Sequence, residues 1–366
     1  METSKVKKIH DYGQSIWLDF IDRDIIKSGK LKQLIDEDGV RGVTSNPAIF
    51  EKAISSSADY DADIAAFSKE NISNEDIFYR LAVKDIQQAA EILLPVYNEE
   101  VKGADGYVSL EVSPLLALDT EGTIKQALEL WEAVDRKNVM IKIPGTKPGL
   151  AAIQKAITEG LNINVTLLFG LERYREVTEA YITGLEERLA NGKSINEISS
   201  VASFFLSRID VLVDPILQEK ELTDLKGEVA IASAKKAYEI YKEVFSGPRW
   251  EKLAAEGARP QRLLWASTGS KNPEFKDTKY VEALIGPDTV DTVPMETLDA
   301  FRDHGDPASR LEIDLEGASA VLAQLQHADI DLNQLTQQLE DEGIEKFNAP
   351  YEKLLKAIDA QKHTAQ

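Results

Sequence analysis

A lysine inside an apolar run is the residue that most needs a chemical reason. Lys142 stands in Val139-Met-Ile-Lys-Ile-Pro144, a segment with no other polar side chain. A lysine so placed either snorkels to the surface or sits in a low-dielectric pocket. In a pocket, desolvation disfavours an ammonium and frees the neutral amine that attacks a carbonyl to form a Schiff base, while neighbouring carboxylates oppose that effect. Polar intrusions of the same kind recur elsewhere. In Leu161-Asn-Ile-Asn-Val-Thr-Leu167 the odd positions are apolar, and Asn162, Asn164 and Thr166 share the other face. In Val108–Val112, Ser109 and Glu111 oppose three apolar residues, and in Ile16–Phe20, Asp19 opposes Ile16, Leu18 and Phe20. Asp19 and Glu111 could serve as acid and base, and Thr166 could orient a water. The chain has no cysteine and four scattered histidines, His10, His304, His327 and His363. Thiolate catalysis, disulfides and Cys-ligated metal centres are therefore excluded, and a Ser/His triad has little support. An imine mechanism remains.

Period-two alternation requires these residues to lie on strands. Short apolar runs followed by helical patterns favour βα units and a parallel sheet. The predicted strands are Ser15–Phe20, Arg41–Ser45, Gly106–Val112, Asn138–Ile143, Asn162–Leu168, Ser200–Phe204, Arg262–Ser267 and Thr289–Val293. Eight strands with helices between them suggest an α/β fold of the (βα)8 barrel type rather than an open sheet. In a barrel the apolar parity faces the helices, leaving Asp19, Glu111, Lys142, Asn164 and Thr166 in the lumen near the C-terminal strand ends, where barrel enzymes place their chemistry. The alternative for any single strand is an edge with one wet face, but a parallel sheet covered on both sides has few of these.

The length of 366 residues could accommodate two domains, yet α/β barrels commonly reach about 250 residues and more. Residues 1–366 read as one barrel domain, of which about 311–366 is an acidic, amphipathic helical extension. Ser194-Ile-Asn-Glu197 fits a capping box opening a short helix, with Gly192 ending the helix before it. A net charge of −21 and a pI near 4.7 argue against nucleic-acid or anionic-membrane partners. No run approaches 18 apolar residues and the N-terminus lacks a signal-peptide core, so a cytoplasmic location is expected. No ligand spacing supports a metal, and no cofactor is expected. Gly145-Thr-Lys-Pro-Gly149 lacks full Walker spacing and reads as a plain βα loop. Gly269-Ser-Lys271, after a strand, is a short candidate phosphate loop. The Asn71 and Asn164 sequons read as chance, and Glu340-Asp-Glu342 as a solvated helix face.

Six segments, in order, carry a family resemblance: Gly42-Val-Thr-Ser-Asn-Pro47, Ser109-Leu-Glu-Val112, Met140-Ile-Lys-Ile143, Asn162–Phe169, Ala202–Ile209 and Trp265-Ala-Ser-Thr-Gly-Ser-Lys271. Over roughly Ser15 to Leu298 the chain resembles the transaldolases, most closely their longer bacterial and plant-like branch. The resemblance implies a (βα)8 barrel that moves a dihydroxyacetone unit between sugar phosphates, without metal or cofactor, as a monomer or homodimer. It implies Lys142 as the Schiff-base lysine, Asp19 as the acid/base of carbon–carbon cleavage, and Glu111 with Thr166 as holders of the catalytic water. Asn46, Asn164, Ser203 and Ser267 match sugar-hydroxyl ligands, and Arg208 a phosphate-binding arginine. The chain departs from the pattern at Ile143-Pro-Gly-Thr146. It also departs at the second phosphate cation, which would be Lys271 rather than arginine; a lysine is a point charge without the guanidinium fork. The tail is too short for the isomerase fused to some long members, and a segment of it is expected over the barrel mouth. The competing readings are an imine aldolase releasing free dihydroxyacetone, a glycoside hydrolase using Asp19 and Glu111, and a non-catalytic sugar-phosphate binder.

Overall fold

Strands that are covered on both faces favour apolar side chains, and the eight runs are mainly apolar, with a few buried polar groups such as Glu111, Thr166 and Asp291 carrying oxygens without hydrogen-bond partners. The computed structural model describes residues 3–100 and 103–364. Among them, eight strands close in chain order into a parallel barrel: β1 (Gln14–Leu18), β2 (Gly42–Val43), β3 (Tyr107–Glu111), β4 (Val139–Pro144), β5 (Ile163–Leu168), β6 (Ser200–Phe205), β7 (Arg262–Ala266) and β8 (Thr289–Val293). Every strand residue except Arg262 is buried. This is the (βα)8 architecture expected from the alternation, with ends within a residue or two. The exception is β2, where two residues replace the predicted five. Trp17 fills the lumen beside it, and a Cβ on Gly42 would lie 2.4 Å from the indole. Below the site, Asp105 accepts from Trp17 Nε1 at 2.5 Å and from the Ser15 hydroxyl, closing the N-terminal end with polar groups that are paired.

The helices that position the site are α1 (Pro47–Ser56), α2 (Asn74–Pro95), α3 (Thr120–Val134), α4 (Lys147–Glu159), α5 (Leu171–Ala190), α6 (Ser207–Glu219), α7 (Val229–Val244) and α8 (Met295–His304). The tail adds α9 (Leu315–His327), packed on α7, and α10 (Leu332–Thr364), which crosses α1, α2 and α6. Local chemistry sets the starts. Asn46 Oδ1 accepts from Ile49 N–H at the head of α1, and Ser73 and Asp76 form a reciprocal capping box on α2. Thr146 Oγ1 accepts from Gly149 N–H and donates to Ala117 O. The Gly145–Gly149 loop is thus occupied with capping α4.

Two expectations are corrected. Ser194 opens no helix: its hydroxyl donates to Asn196 Oδ1, and residues 195–198 make only a turn. Only seven residues, 193–199, lie between Gly192 and β6, and buried Ile195 and Ile198 pin them to the barrel, leaving no length for a helix. Gly192 itself does end α5 with a φ of 72°. Glu340 is not on a solvated face. It is buried and paired with Arg173 of α5 at 3.2 Å, whereas Asp341 is exposed.

Asp291 of β8, in register with Ile16 and Trp265, is wholly buried in the barrel wall. Burial pushes its pKa up to about 8, against the neighbouring Thr268 hydroxyl. Between about pH 4 and pH 8 the folded chain therefore holds a proton that the unfolded chain releases, so stability falls as pH rises through that window, by on the order of 1 kcal/mol per unit. Asp291→Asn should flatten this dependence. Urea unfolding at pH 6 and pH 8 checks it: equal losses in parent and variant would mean that Asp291 is not the source.

Candidate active site

Register brings the sequence-predicted residues of β3, β4 and β5 into one row, with Glu111 paired to Lys142 and Lys142 to Asn164. Lys142, 5% exposed, places Nζ 2.8 Å from Ser45 O and 3.2 Å from Glu111 Oε2. The Ser45 hydroxyl donates to Ser109 O at 2.7 Å, which fixes the loop so that its carbonyl meets the lysine. Glu111 is as buried as the lysine, and Oε1 has no hydrogen-bond partner. Burial raises its pKa above the usual carboxylate range; Lys142 opposes the shift and Asp19 adds to it.

Asp19 lies just beyond β1 and opens partly onto the cavity. Burial likewise raises its pKa, Lys142 and a 2.7 Å hydrogen bond from Thr44 Oγ1 to Oδ1 lower it, and Glu296 raises it further. Thr166 lies within a register shift between Val165 and Leu168 at which Leu167 adopts a φ of 54°. A bulge there re-aims the strand end, and Thr166 Oγ1 is buried without a partner. Asn164 is fully buried, donating to Ser109 Oγ at 3.1 Å and accepting from Ser203 Oγ at 2.6 Å. Ser267, at a φ of 55°, shares a 2.8 Å hydroxyl contact with Ser207 at the head of α6. Left-handed backbone at two non-glycine positions on the rim is the kind of local strain that collects at functional sites.

These groups surround a cavity of about 210 Å³ at the C-terminal end of the barrel. Asp19, Asn46, Lys142, Thr166, Ser203, Arg208, Ser267 and Lys271 line it. Glu111 and Asn164 do not: they are buried beside the lysine, in its register row. The cavity therefore does not present Asp19 and Glu111 as facing carboxylates, which argues against the glycoside-hydrolase reading. Arg208, the second residue of α6, sits 5.6 Å from the Phe205 ring and 5.8 Å from that of Phe347, with Nη1 buried and unpartnered. Lys271 is exposed at the rim. Sequence reasoning missed Thr44, Phe205, Thr292, Glu296 and Phe347 on the wall, and the Ser45 carbonyl. Thr44 and Phe205 lie inside the quoted motifs, whereas Phe347 comes from α10 and has no local signal. Among the described residues no three His, Asp or Glu side chains converge as metal ligands. A larger groove of about 710 Å³ between α2 and α3 contains none of the predicted site residues.

A family model described as transaldolase/fructose-6-phosphate aldolase matches residues 16–358. The chain belongs to this family. It is 50% identical to a transaldolase of Trichodesmium erythraeum over 372 aligned positions, covering 98% of both chains. A protein named transaldolase 2 from Nostoc punctiforme is 48% identical, again over 98% of both. A transaldolase of Thiobacillus denitrificans is 46% identical over 96% of this chain and 99% of its own. The alignments run through the tail as well as the barrel, so the tail is a shared part of the transaldolase sequence.

That tail reaches the site. A Cβ on Gly343 of α10 would lie 3.0 Å from Leu167 Cδ2, and Phe347 lines the cavity against Arg208. Tyr351 anchors this stretch through a 2.5 Å bond to Glu75 and an edge contact with Phe78. Phe347→Ala should loosen the guanidinium and raise KM for phosphorylated substrates about two- to fivefold, the value of one ring–cation contact, with kcat changed less. Steady-state kinetics check this. An unchanged KM would mean that Phe347 only fills space.

Proposed function

We propose that this chain is a transaldolase that carries its three-carbon unit on Lys142. The donor is a ketose phosphate such as sedoheptulose 7-phosphate or fructose 6-phosphate. The acceptor is an aldose phosphate, glyceraldehyde 3-phosphate or erythrose 4-phosphate, which places the reaction in the pentose phosphate pathway of the cytoplasm. The observation that carries the reading is the amine of Lys142, buried at the cavity floor with a carboxylate, Glu111, behind it and another, Asp19, on the wall in front.

The chemistry follows from those positions. The Lys142 amine adds to the donor ketone, and the resulting carbinolamine loses water to give the imine. Glu111 and Thr166 hold that water; each has a buried oxygen without a protein partner. Asp19 then accepts the hydroxyl proton as the carbon–carbon bond breaks, and the bonding electrons pass into the imine as an enamine. The aldose phosphate leaves. The enamine adds to the acceptor aldehyde, Asp19 returns its proton, and water hydrolyses the new imine to free Lys142. Asn46 offers its Nδ2 to sugar hydroxyls because Oδ1 caps α1. Ser203 and Ser267 offer hydroxyls from the wall. Asn164 acts from beside the lysine by orienting Ser203. Arg208, flanked by rings and with Nη1 unpartnered, suits a phosphate, and Lys271 adds a second charge at the rim.

Borohydride added with donor sugar should leave a reduced three-carbon adduct on Lys142, located by peptide mass mapping. An adduct on another lysine, or none from active enzyme, overturns the scheme. Lys142→Met should abolish turnover. Product analysis with and without acceptor aldehyde separates transfer from release of free dihydroxyacetone.

Charge reversal at Arg208 should raise KM for phosphorylated sugars by about two orders of magnitude and hardly alter that for unphosphorylated ones. An equal effect on both would place the phosphate site elsewhere.

A further inference from the structure

Asp19 sits where three strand ends meet, and its carboxylate is not free to turn. Its N–H donates to Val293 O of β8 at 2.8 Å, and Thr44 N–H donates to Leu18 O of β1 at 2.9 Å. Side chains continue the ladder. Thr44 Oγ1 is 2.7 Å from Asp19 Oδ1 and also 2.7 Å from Thr292 Oγ1. A hydroxyl carries one proton, and an ionised carboxylate can only accept. With Asp19 ionised, the Thr44 proton must go to Oδ1, and Thr292 must then donate to Thr44. The direction of both bonds follows from the carboxylate alone, and bonds in such a chain reinforce one another.

We propose that Thr44, itself ordered by Thr292, is the positioning residue for Asp19: its hydroxyl holds Oδ1 and leaves the other oxygen to exchange the substrate's hydroxyl proton. This rests on the reading of Asp19 as the acid/base of transfer. Every other charged group facing the carboxylate comes from elsewhere in the barrel. Lys142 of β4 and Lys271 after β7 favour its ionised form, while Glu111 of β3 and Glu296 of α8 disfavour it. Transfer needs both forms. The carboxylate must be ionised to take the proton as the carbon–carbon bond breaks, then protonated to return it when the enamine attacks the acceptor. Burial biases Asp19 towards the protonated form, and the Thr44 hydroxyl opposes that bias. Of the two hydroxyls, Thr44 touches the carboxylate and Thr292 acts only through Thr44.

Three variants of the full-length chain test this: Thr44→Val, which keeps the shape without the hydroxyl, Thr44→Ser, which keeps the hydroxyl, and Thr292→Val. The Asp19 carboxyl is titrated by carbon-13 NMR, assigned by its loss in Asp19→Asn, and the acid limb of the kcat/KM–pH profile is recorded beside it. Thr44→Val should raise the titration midpoint and the acid limb by about one to two pH units, the size of a lost hydrogen bond to a charged group. Thr44→Ser should restore the parent values, and Thr292→Val should shift them the same way by less. A Thr44→Val titration that overlays the parent, or Thr44→Ser and Thr44→Val shifting alike, overturns the proposal. If Thr44→Val does not fold, Thr292→Val decides it on the same readouts, and no shift there counts against the chain of hydroxyls. The carboxyl titration needs no turnover. Failure of the borohydride trap would therefore remove the transfer reading without deciding the hold of Thr44 on Asp19.

Discussion

A lysine nitrogen held inside a barrel wall has lost its water, and the groups that replace that water dictate where everything else can stand. For Lys142 those groups are the Ser45 carbonyl and the Glu111 carboxylate. Supplying them uses up the nearest acid. Glu111 sinks to the level of the lysine, and the acid that meets the cavity is Asp19 from β1, on its own support from Thr44. One carboxylate thus pairs with the lysine while the other meets the cavity, and both titrate upwards, burial being the first cause in each. The Ser203–Asn164–Ser109 chain fills the adjoining part of the same layer, so few polar atoms there are left unpaired.

The net charge of −21 is handled by distribution. Many surface lysines and arginines are tied to carboxylates, such as Arg249 to Glu179 and Glu186, or Arg302 to Asp38. Arg208 is instead bracketed by two aromatic rings, which support its charge without neutralising it. Positive potential can then survive at one mouth of an acidic protein, where an anion is focused by the walls around it.

Much of this was legible in the sequence because alternation has a period of two and a barrel has two faces. Lys142, Thr166 and Asp19 stand where their parity puts them. Parity does not report which lumen-facing side chains reach the cavity. Glu111 and Asn164 share the lumen face and the register row of Lys142, yet only the lysine of the three lines the cavity. Long-range partners are equally silent. Glu340 is taken out of water by Arg173, 167 positions earlier, and Phe347 reaches Arg208 from a helix with no strand signal nearby. Ser194 carries a capping pattern, but the chain must reach β6 before a helical turn can form, so tertiary distance overrides local preference.

The wall that α10 provides belongs to the last tenth of the chain, whereas Asp19 and Thr44 belong to the first eighth. A polypeptide made from its N-terminus therefore has its acid, its lysine and its arginine long before the ring that backs the arginine exists. β8, whose Thr292 completes the hold on Asp19, is also synthesised late. A nascent chain consequently holds the lysine, the acid and the arginine before the hydroxyl that backs Asp19 and the ring that backs Arg208 are in place.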